Sequence, residues 1–572
     1  MIITLILWIV TLFILSMAGW LVVTGLGGLV KQPAASIHPT VVMLAGLALI
    51  TFIADIASLF LPLNQSFFYV LAAGAVLIAV IRLIKNHRLP HFNPPRFSLA
   101  QVLVLVLGCL IFIIVLDLSS RLPANADTAI YHAQAIHWIE EYPAVPGLGN
   151  LHSRLAYNSN WLVDNAVFSY TWAGRSAPYH VLPGLLALFS LFYLMEGLWQ
   201  IAGKNYSPLA IIKALLIPLF FIVSPSEVSS PGTDMPAVFL TWIILCESLD
   251  GLLTARPDSP VRQLLVVNLA LFSVTVKLSV VPLLILPLVL CLLYLRHKVN
   301  RWLILHFAVF GLLILGAWMA RNVILSGYLI YPFPQVDLFS FDWKIPASAA
   351  GIEINSITNW ARHIWVGADQ HNNTLPIQEW APLWFKAETA NRKAMACLAG
   401  LGLLVYAVLL CFRAARLWLK RMAGESFQTV LGLSFAGCIY WFLSAPDFRF
   451  GYSFILFSIL MIFLPLIAWA LTKKWVAKAF PFLTVIILLL FQFVFYIRSF
   501  QALSYTTRLV SPEPYPSSPT SSCKFGNFST WCADIYNQCW YTPFPCVPRP
   551  LDSVEKRTDD LKDGFRDTEP FH

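Results

Sequence analysis

Apolar runs long enough to cross about 30 Å of hydrocarbon as helices recur from Met1 to Ile497, and this limits what the chain can become. Where no water reaches, every backbone N–H and C=O needs a partner inside its own segment, so such runs fold as helices. Hydrophobic residues make up 58% of the 572 positions and charged residues 12%, a balance that would leave a water-soluble globule with far too much apolar surface. The expected fold class is all-α: a polytopic transmembrane helical bundle of about 14 spans. They fall at 2–30, 38–61, 66–84, 99–117, 181–202, 208–226, 235–250, 262–276, 279–295, 301–319, 394–413, 428–444, 452–471 and 480–497. The first run is too long for a signal-peptide core and lacks a basic leader, so it reads as a span.

The basic residues gather in short connections: Arg82, Lys85 and Arg88; Arg296, Lys298 and Arg301; Arg413, Arg416, Lys420 and Arg421; Lys473, Lys474 and Lys478. Placing all four clusters on the cytoplasmic side gives one consistent layout. It sends both termini, the 118–180 and 320–393 loops, and the turns around Asp234 and Asp447 to the external face. The formal charge of +9 is accounted for by these anchors and calls for no nucleic acid. Six cysteines lie in apolar spans as small buried residues, whereas Cys523, Cys532, Cys539 and Cys546 crowd a polar tail. An even count in a short external segment predicts two disulfides of open connectivity. Zinc fits less well, because eight, six and six residues separate these cysteines rather than paired two-residue gaps.

Chemistry concentrates in the 118–180 segment. Helical periodicity from Asp127 places Asp127, Tyr131, Gln134, Trp138 and Glu141 on one stripe, with Asp127 in the first turn, where the helix dipole favours an anion. Asp127 can equally be a plain helix cap, and Trp138 and Trp161 interfacial anchors or platforms for a sugar. His132 and His137 project to different sides and form no paired metal site, and His137 with Glu141 is a weak pair. The turn PGLGN at 146–150 has no βαβ setting and so is not a dinucleotide fingerprint. Lys277, Arg321 and Arg449 stand amid or at the ends of apolar runs on the face where a positive-inside role does not apply, a pattern that suits binding of a phosphate. Asp342 and Asp447 are alternative partners for these cations. Asp234 marks a helix start, and Asp55 and Glu196 fall within spans, where burial is costly.

A span at 99–117, then a long loop with an acidic residue close behind the membrane exit and amphipathic helices beyond, resembles the GT-C superfamily of polytopic glycosyltransferases. The resemblance runs from about residue 99 to 497, with Asp127 where several relatives carry an Asp-Glu pair and Asp117 as a second match to the acidic position. The stretches YHAQAIHWIEEYPAVPGLGNLHSRLAYNS and APDFRFGY, with the tail, look similar to an uncharacterised family of bacterial multi-spanning membrane proteins. The GT-C likeness implies a three-span extension at 1–98, a core at 99–497 and a cysteine-containing tail at 498–572. It also implies transfer of a sugar from a polyprenyl-phosphate donor to a glycan, lipid or protein acceptor outside a bacterial inner membrane. Asp127 would be the catalytic carboxylate; His132, Glu141, Arg154, Lys277, Arg321 and Arg449 would contact substrate, with a divalent metal as an optional cofactor. The rival readings are a transporter or flippase of a lipid-linked sugar and a non-catalytic assembly subunit.

The layout is checked by labelling. Single cysteines introduced near Pro146 and Pro376 are expected to react with a membrane-impermeant maleimide on intact cells and one near Ala415 is not; reaction of all three from one side overturns it.

Overall fold

The structure is a computed structural model describing residues 1–31, 37–85, 97–173, 178–223, 226–254, 259–364, 375–500, 508–516, 518–549 and 551–568, without the side chains of Lys85 and 491–500. Arg88 of the first basic cluster lies outside the described residues.

Eleven helices among the described residues are long and apolar enough to cross a membrane, which makes this a multi-pass membrane protein. They include Ile2–Val30, Pro39–Ser58, Leu99–Ser119, Val181–Ala202, Trp302–Ser326 and Phe448–Ala470. The expected count of about fourteen is not reached among the described residues. Pro208–Val223 and Pro260–Val276 are shorter apolar helices, and Lys474–Phe500 has described side chains only through residue 490. Proline explains one shortening: Pro260 opens its helix, the backbone turns extended at Lys277 (φ −158°, ψ 129°), and the 3-10 stretch Leu278–Leu284 follows around Pro282.

Small residues bring the first two helices together. A Cβ on Gly19 would come within 2.0 Å of the Val42 carbonyl oxygen, and one on Gly46 within 2.1 Å of that of Leu15, so the backbones touch where only glycine fits. These helices hold the first loop rather than standing apart from it. Trp8 Nε1 donates to the Val181 carbonyl at 2.8 Å, Thr11 bonds the Tyr170 hydroxyl at 2.8 Å, and Thr51 bonds Asp164 at 2.6 Å. Asn160 Nδ2 donates to Asp55 at 2.6 Å, answering that intramembrane carboxylate. The short helix Asn160–Val167 is buried throughout, and Trp138 and Trp161 are each at most 2% exposed. Neither tryptophan is therefore an interfacial anchor or an open sugar platform: the loop folds back onto the bundle and its largest rings fill the seam. Glu196 meets Lys213 at 2.5 Å, and Arg262 pairs with Glu247, so charged groups in these helices come with partners.

The all-α expectation fails in the tail, which forms strands β1 (Thr520–Phe525), β2 (Phe528–Ala533), β3 (Cys546–Val547), β4 (Val554–Lys556) and β5 (Phe565–Asp567). The first three make one sheet and the last two another, and disulfides join Cys523 to Cys532 and Cys539 to Cys546. The tail clamps onto the first loop. Cys539 N and Trp540 N both donate to the Ala129 carbonyl, at 2.8 and 2.9 Å. Gln134 Nε2 donates to the carbonyls of Trp540 and Pro543 at 2.9 and 3.0 Å, while its Oε1 accepts from Cys546 N at 3.0 Å. His137 is stacked between Tyr541 and Phe544, each 3.9 Å away. Gly147 takes φ +64°, and a Cβ there would come within 2.2 Å of the Phe565 carbonyl oxygen; the PGLGN glycine serves this close approach of β5. Asp342 pairs with Arg557 of the tail at 2.8 and 3.1 Å instead of with Lys277, Arg321 or Arg449.

Peptide mapping without reductant is expected to recover Cys523–Cys532 and Cys539–Cys546, and four free thiols would exclude both bonds. Replacing Cys539 and Cys546 by serine should speed proteolysis within the tail while leaving fragments from the spans intact, because the segment that the bond closes lies outside the apolar helices.

Candidate functional site

Beyond the end of helix Leu99–Ser119 the chain makes an Asx turn at Asn125. Its Oδ1 accepts from Asp127 N at 2.9 Å, its backbone N donates to Ser230 Oγ at 3.0 Å, and its Nδ2 donates to Glu227 Oε1 at 2.8 Å. Asn125 thus occupies the turn, and the Asp127 carboxylate makes no capping bond. Freed from the backbone, Asp127 lies between two guanidinium groups. Arg154 Nη1 donates to Oδ1 at 3.0 Å, and Arg449 Nη1 stands 3.7 Å from Oδ2. The two arginines arrive from different places: Arg154 from the 3-10 turn Ser153–Ala156, Arg449 from the first turn of Phe448–Ala470. Asp447 caps that last helix by accepting from Arg449 N at 3.0 Å, and it also holds Arg449 Nε at 3.2 Å.

A second charge pair sits alongside. Lys277, at the break after Pro260–Val276, bonds Asp234 in the first turn of Asp234–Glu247, and its Nζ lies 4.5 Å from the centre of the Phe450 ring. Asp234 interacts electrostatically with Arg449 as well, which joins the two pairs into one cluster. The Asp127, Arg154 and Arg449 side chains are 27%, 36% and 40% exposed, enough for a ligand to reach them.

Two further groups border the cluster. Burial pushes His132 down to about 4 against the opposing pull of Asp127 and Asp234, so its imidazole is neutral at pH 7; Nδ1 lies 3.5 Å from Thr128 Oγ1. Glu227 is the group that the sequence did not single out. Burial, reinforced by Asp234, pushes its carboxyl up to about 7, and its Oε2 is buried with no hydrogen-bond partner. The available signal was a lone glutamate in the Ser- and Pro-rich turn SPSEVSSP, a composition that otherwise marks a loop.

Asp127, His132, Arg154, Lys277 and Arg449 are thus brought together, whereas Glu141 and Arg321 are not. Residues Thr128–His132 form a π turn, which adds a residue to the winding and ends the 3.6-residue register extrapolated from Asp127. Glu141 consequently points away, 57% exposed and 3.9 Å from His137. Arg321 is buried and bonds Asn158 Oδ1 at 2.6 Å, with Asp55 as its electrostatic partner. Asp117, the alternative acid, is held by Arg121 at 2.6 Å one helical turn away. Among the described residues no three His, Cys, Asp or Glu side chains gather to hold a metal ion.

Residues 1–456 match the family described as Domain of unknown function (DUF8201). The chain belongs to that family. The match contains every member of the charged cluster and ends before the tail. No curated protein and no solved structure matches the chain.

Removing one partner of a half-buried pair strands the other, which costs about 3–5 kcal/mol at a buried site. Lys277→Met is therefore expected to lower the unfolding midpoint in detergent, and adding Asp234→Asn to recover most of the loss. Equal stability of wild type and Lys277→Met would show that the pair contributes nothing.

Proposed function

We propose that the chain is a membrane glycosyltransferase that moves a sugar from a polyprenyl-phosphate donor to an acceptor hydroxyl or amine. The observation carrying this reading is the Asp127 carboxylate set between Arg154 and Arg449, with Lys277 and Asp234 beside them. Chain segments far apart in sequence converge to make a mixed cluster of acids and cations, partly open, at the ends of apolar helices. A donor whose tail lies in lipid and whose phosphate lies at the surface needs a site of that kind.

The chemistry requires a carboxylate to take a proton and cations to receive a phosphate. As the acceptor atom bonds the anomeric carbon, its proton passes to Asp127 and the bond from that carbon to the phosphate oxygen breaks with its electron pair on oxygen. The leaving lipid phosphate then carries the charge that Arg154, Arg449 and Lys277 neutralise. Both Asp127 oxygens face arginines. An arriving phosphate competes for those guanidinium groups, bidentate ligands for anions of this shape, and so releases the carboxylate toward the acceptor. Neutral His132, buried behind Asp127, borders the cluster without adding charge to it. The transporter reading is favoured by one feature, the charge pairs Glu196–Lys213 and Glu247–Arg262 between neighbouring apolar helices.

Asp127→Asn keeps the volume of the side chain and removes its basicity. Loss of a general base costs about 10²–10⁴ in rate. Glycan and glycolipid profiles of cells carrying Asp127→Asn at wild-type abundance should therefore lack the product, as should those of cells without the protein. Wild-type profiles from the variant would exclude Asp127 as the base, and an unchanged profile without the protein would favour the transporter or assembly readings.

A further inference from the structure

A cavity of about 410 Å³ opens where the start of helix Gln65–Lys85, the end of helix Ala133–Glu141, residues 166–172 and the tail meet. It takes no part in the Asp127 cluster. Its lining contains two carboxylates, Glu140 and Glu141, and no lysine, arginine or histidine. Glu140 is 5% exposed. Its Oε2 accepts from the Tyr541 hydroxyl at 2.6 Å, and the Ser169 and Thr171 hydroxyls also bear on the carboxyl, yet the buried Oε1 has no hydrogen bond of good geometry. A buried carboxyl served only by neutral hydroxyls remains costly to ionise unless a bound cation answers it. Aromatic rings supply much of the remaining wall: Phe68 and Trp172 stand 5.5 Å apart at a tilt, with Tyr541 on the Glu140 side.

We propose that this cavity binds an organic ammonium ion between Glu140 and Glu141, against the faces of Phe68, Trp172 and Tyr541. Two acidic groups call for a cation, because the one basic side chain within reach, His137 at 3.9 Å from Glu141, is pushed down to about 4 by burial and carries no charge at pH 8. Aromatic faces attract a weakly hydrated ammonium through their quadrupoles and offer nothing comparable to a hydrated metal ion. The volume lies in the range of small-molecule sites, well above that needed by a bare inorganic ion. A neutral polyol would leave both carboxylates uncompensated. Glu140 is raised to about 7 chiefly by burial, so a bound cation also pulls it to the ionised form that makes the stronger contact. Because Tyr541 comes from the disulfide-bonded tail, the site is complete only with the tail docked.

The test is titration calorimetry on the full chain in detergent at pH 8, using tetramethylammonium, choline and spermidine as probes and, for choline, the neutral isostere in which carbon replaces nitrogen. At least one ammonium probe should half-saturate below about 10 mM, with the isostere at least about 10-fold weaker than choline. Glu140→Gln should weaken the best probe by about 10-fold or more, the loss of one charge-assisted contact. Trp172→Ala, at a side chain 38% exposed, should weaken it without threatening the fold. Equal affinity for choline and its isostere overturns the proposal, as does binding by none of the three ammonium probes. Undiminished binding in Trp172→Ala, or in a folded Glu140→Gln protein, overturns it too. Binding is read directly, so the outcome does not depend on whether Asp127 catalyses sugar transfer.

Discussion

An ionisable group that leaves water within a bundle of apolar helices has to bring a counter-charge or a hydrogen-bond donor, because no solvent is there to meet it. Much of this protein is arranged by that requirement. Glu196 answers Lys213 and Glu247 answers Arg262, each pair tying two helices together. The same rule operates at the end of the bundle with a different result. There Asp127 faces Arg154 and Arg449 while Asp234 faces Lys277, and the exposure of the first three leaves the charges available to a ligand. Glu247 and Lys213, at 4% and 3% exposed, are closed off and hold the scaffold, and the more open Asp127, Arg154 and Arg449 are where an anion can exchange partners with a carboxylate.

The helical, multi-pass character was legible because apolar run length is set by the membrane and needs no tertiary information. The break at Lys277 was legible as well, since the polar residue and the following proline interrupt hydropathy at one place. What local periodicity could not carry was the face of the first-loop helix. The stripe Asp127, Tyr131, Gln134, Trp138 and Glu141 assumes uninterrupted α geometry, and the π turn at Thr128–His132 rotates everything after it. Asp127 and His132 therefore stay with the charged cluster, while Gln134, His137 and Trp138 turn to the tail.

Of the candidate site, the residue types and the end of the bundle were readable, and the pairing was not. Nothing near Arg154 or Arg449 in sequence indicates that both reach one carboxylate, since they stand 27 and over 300 residues from Asp127. Arg321 has the same sequence signature as Arg449, an arginine at the end of an apolar run, yet Asn158 and Asp55 draw it inward. A glutamate in a Ser- and Pro-rich turn reads as solvated, and only the packing around Asn125 shows Glu227 to be buried. The tail was read as a stapled appendage; its contacts with Gln134 and Glu140 cross about 400 residues, beyond any local pattern.

Those long contacts give the tail a mechanical place in the site. The Ala129 carbonyl that receives Cys539 N and Trp540 N lies two residues from Asp127, and Gln134 grips the same tail segment two residues beyond His132. The Cys539–Cys546 bond closes that segment into a short ring, so the donors meeting Ala129 and the amide meeting Gln134 are fixed relative to each other. A π turn has fewer favourable local interactions than an α turn and survives where surrounding contacts over-determine it. Here the over-determination comes from two sides: Asn125 and Arg154 hold the Asp127 end, and the disulfide-closed loop holds Ala129 and Gln134. The orientation of Asp127 is thus set as much by the far end of the chain as by its own segment, and loosening the tail loosens the geometry between the carboxylate and its arginines.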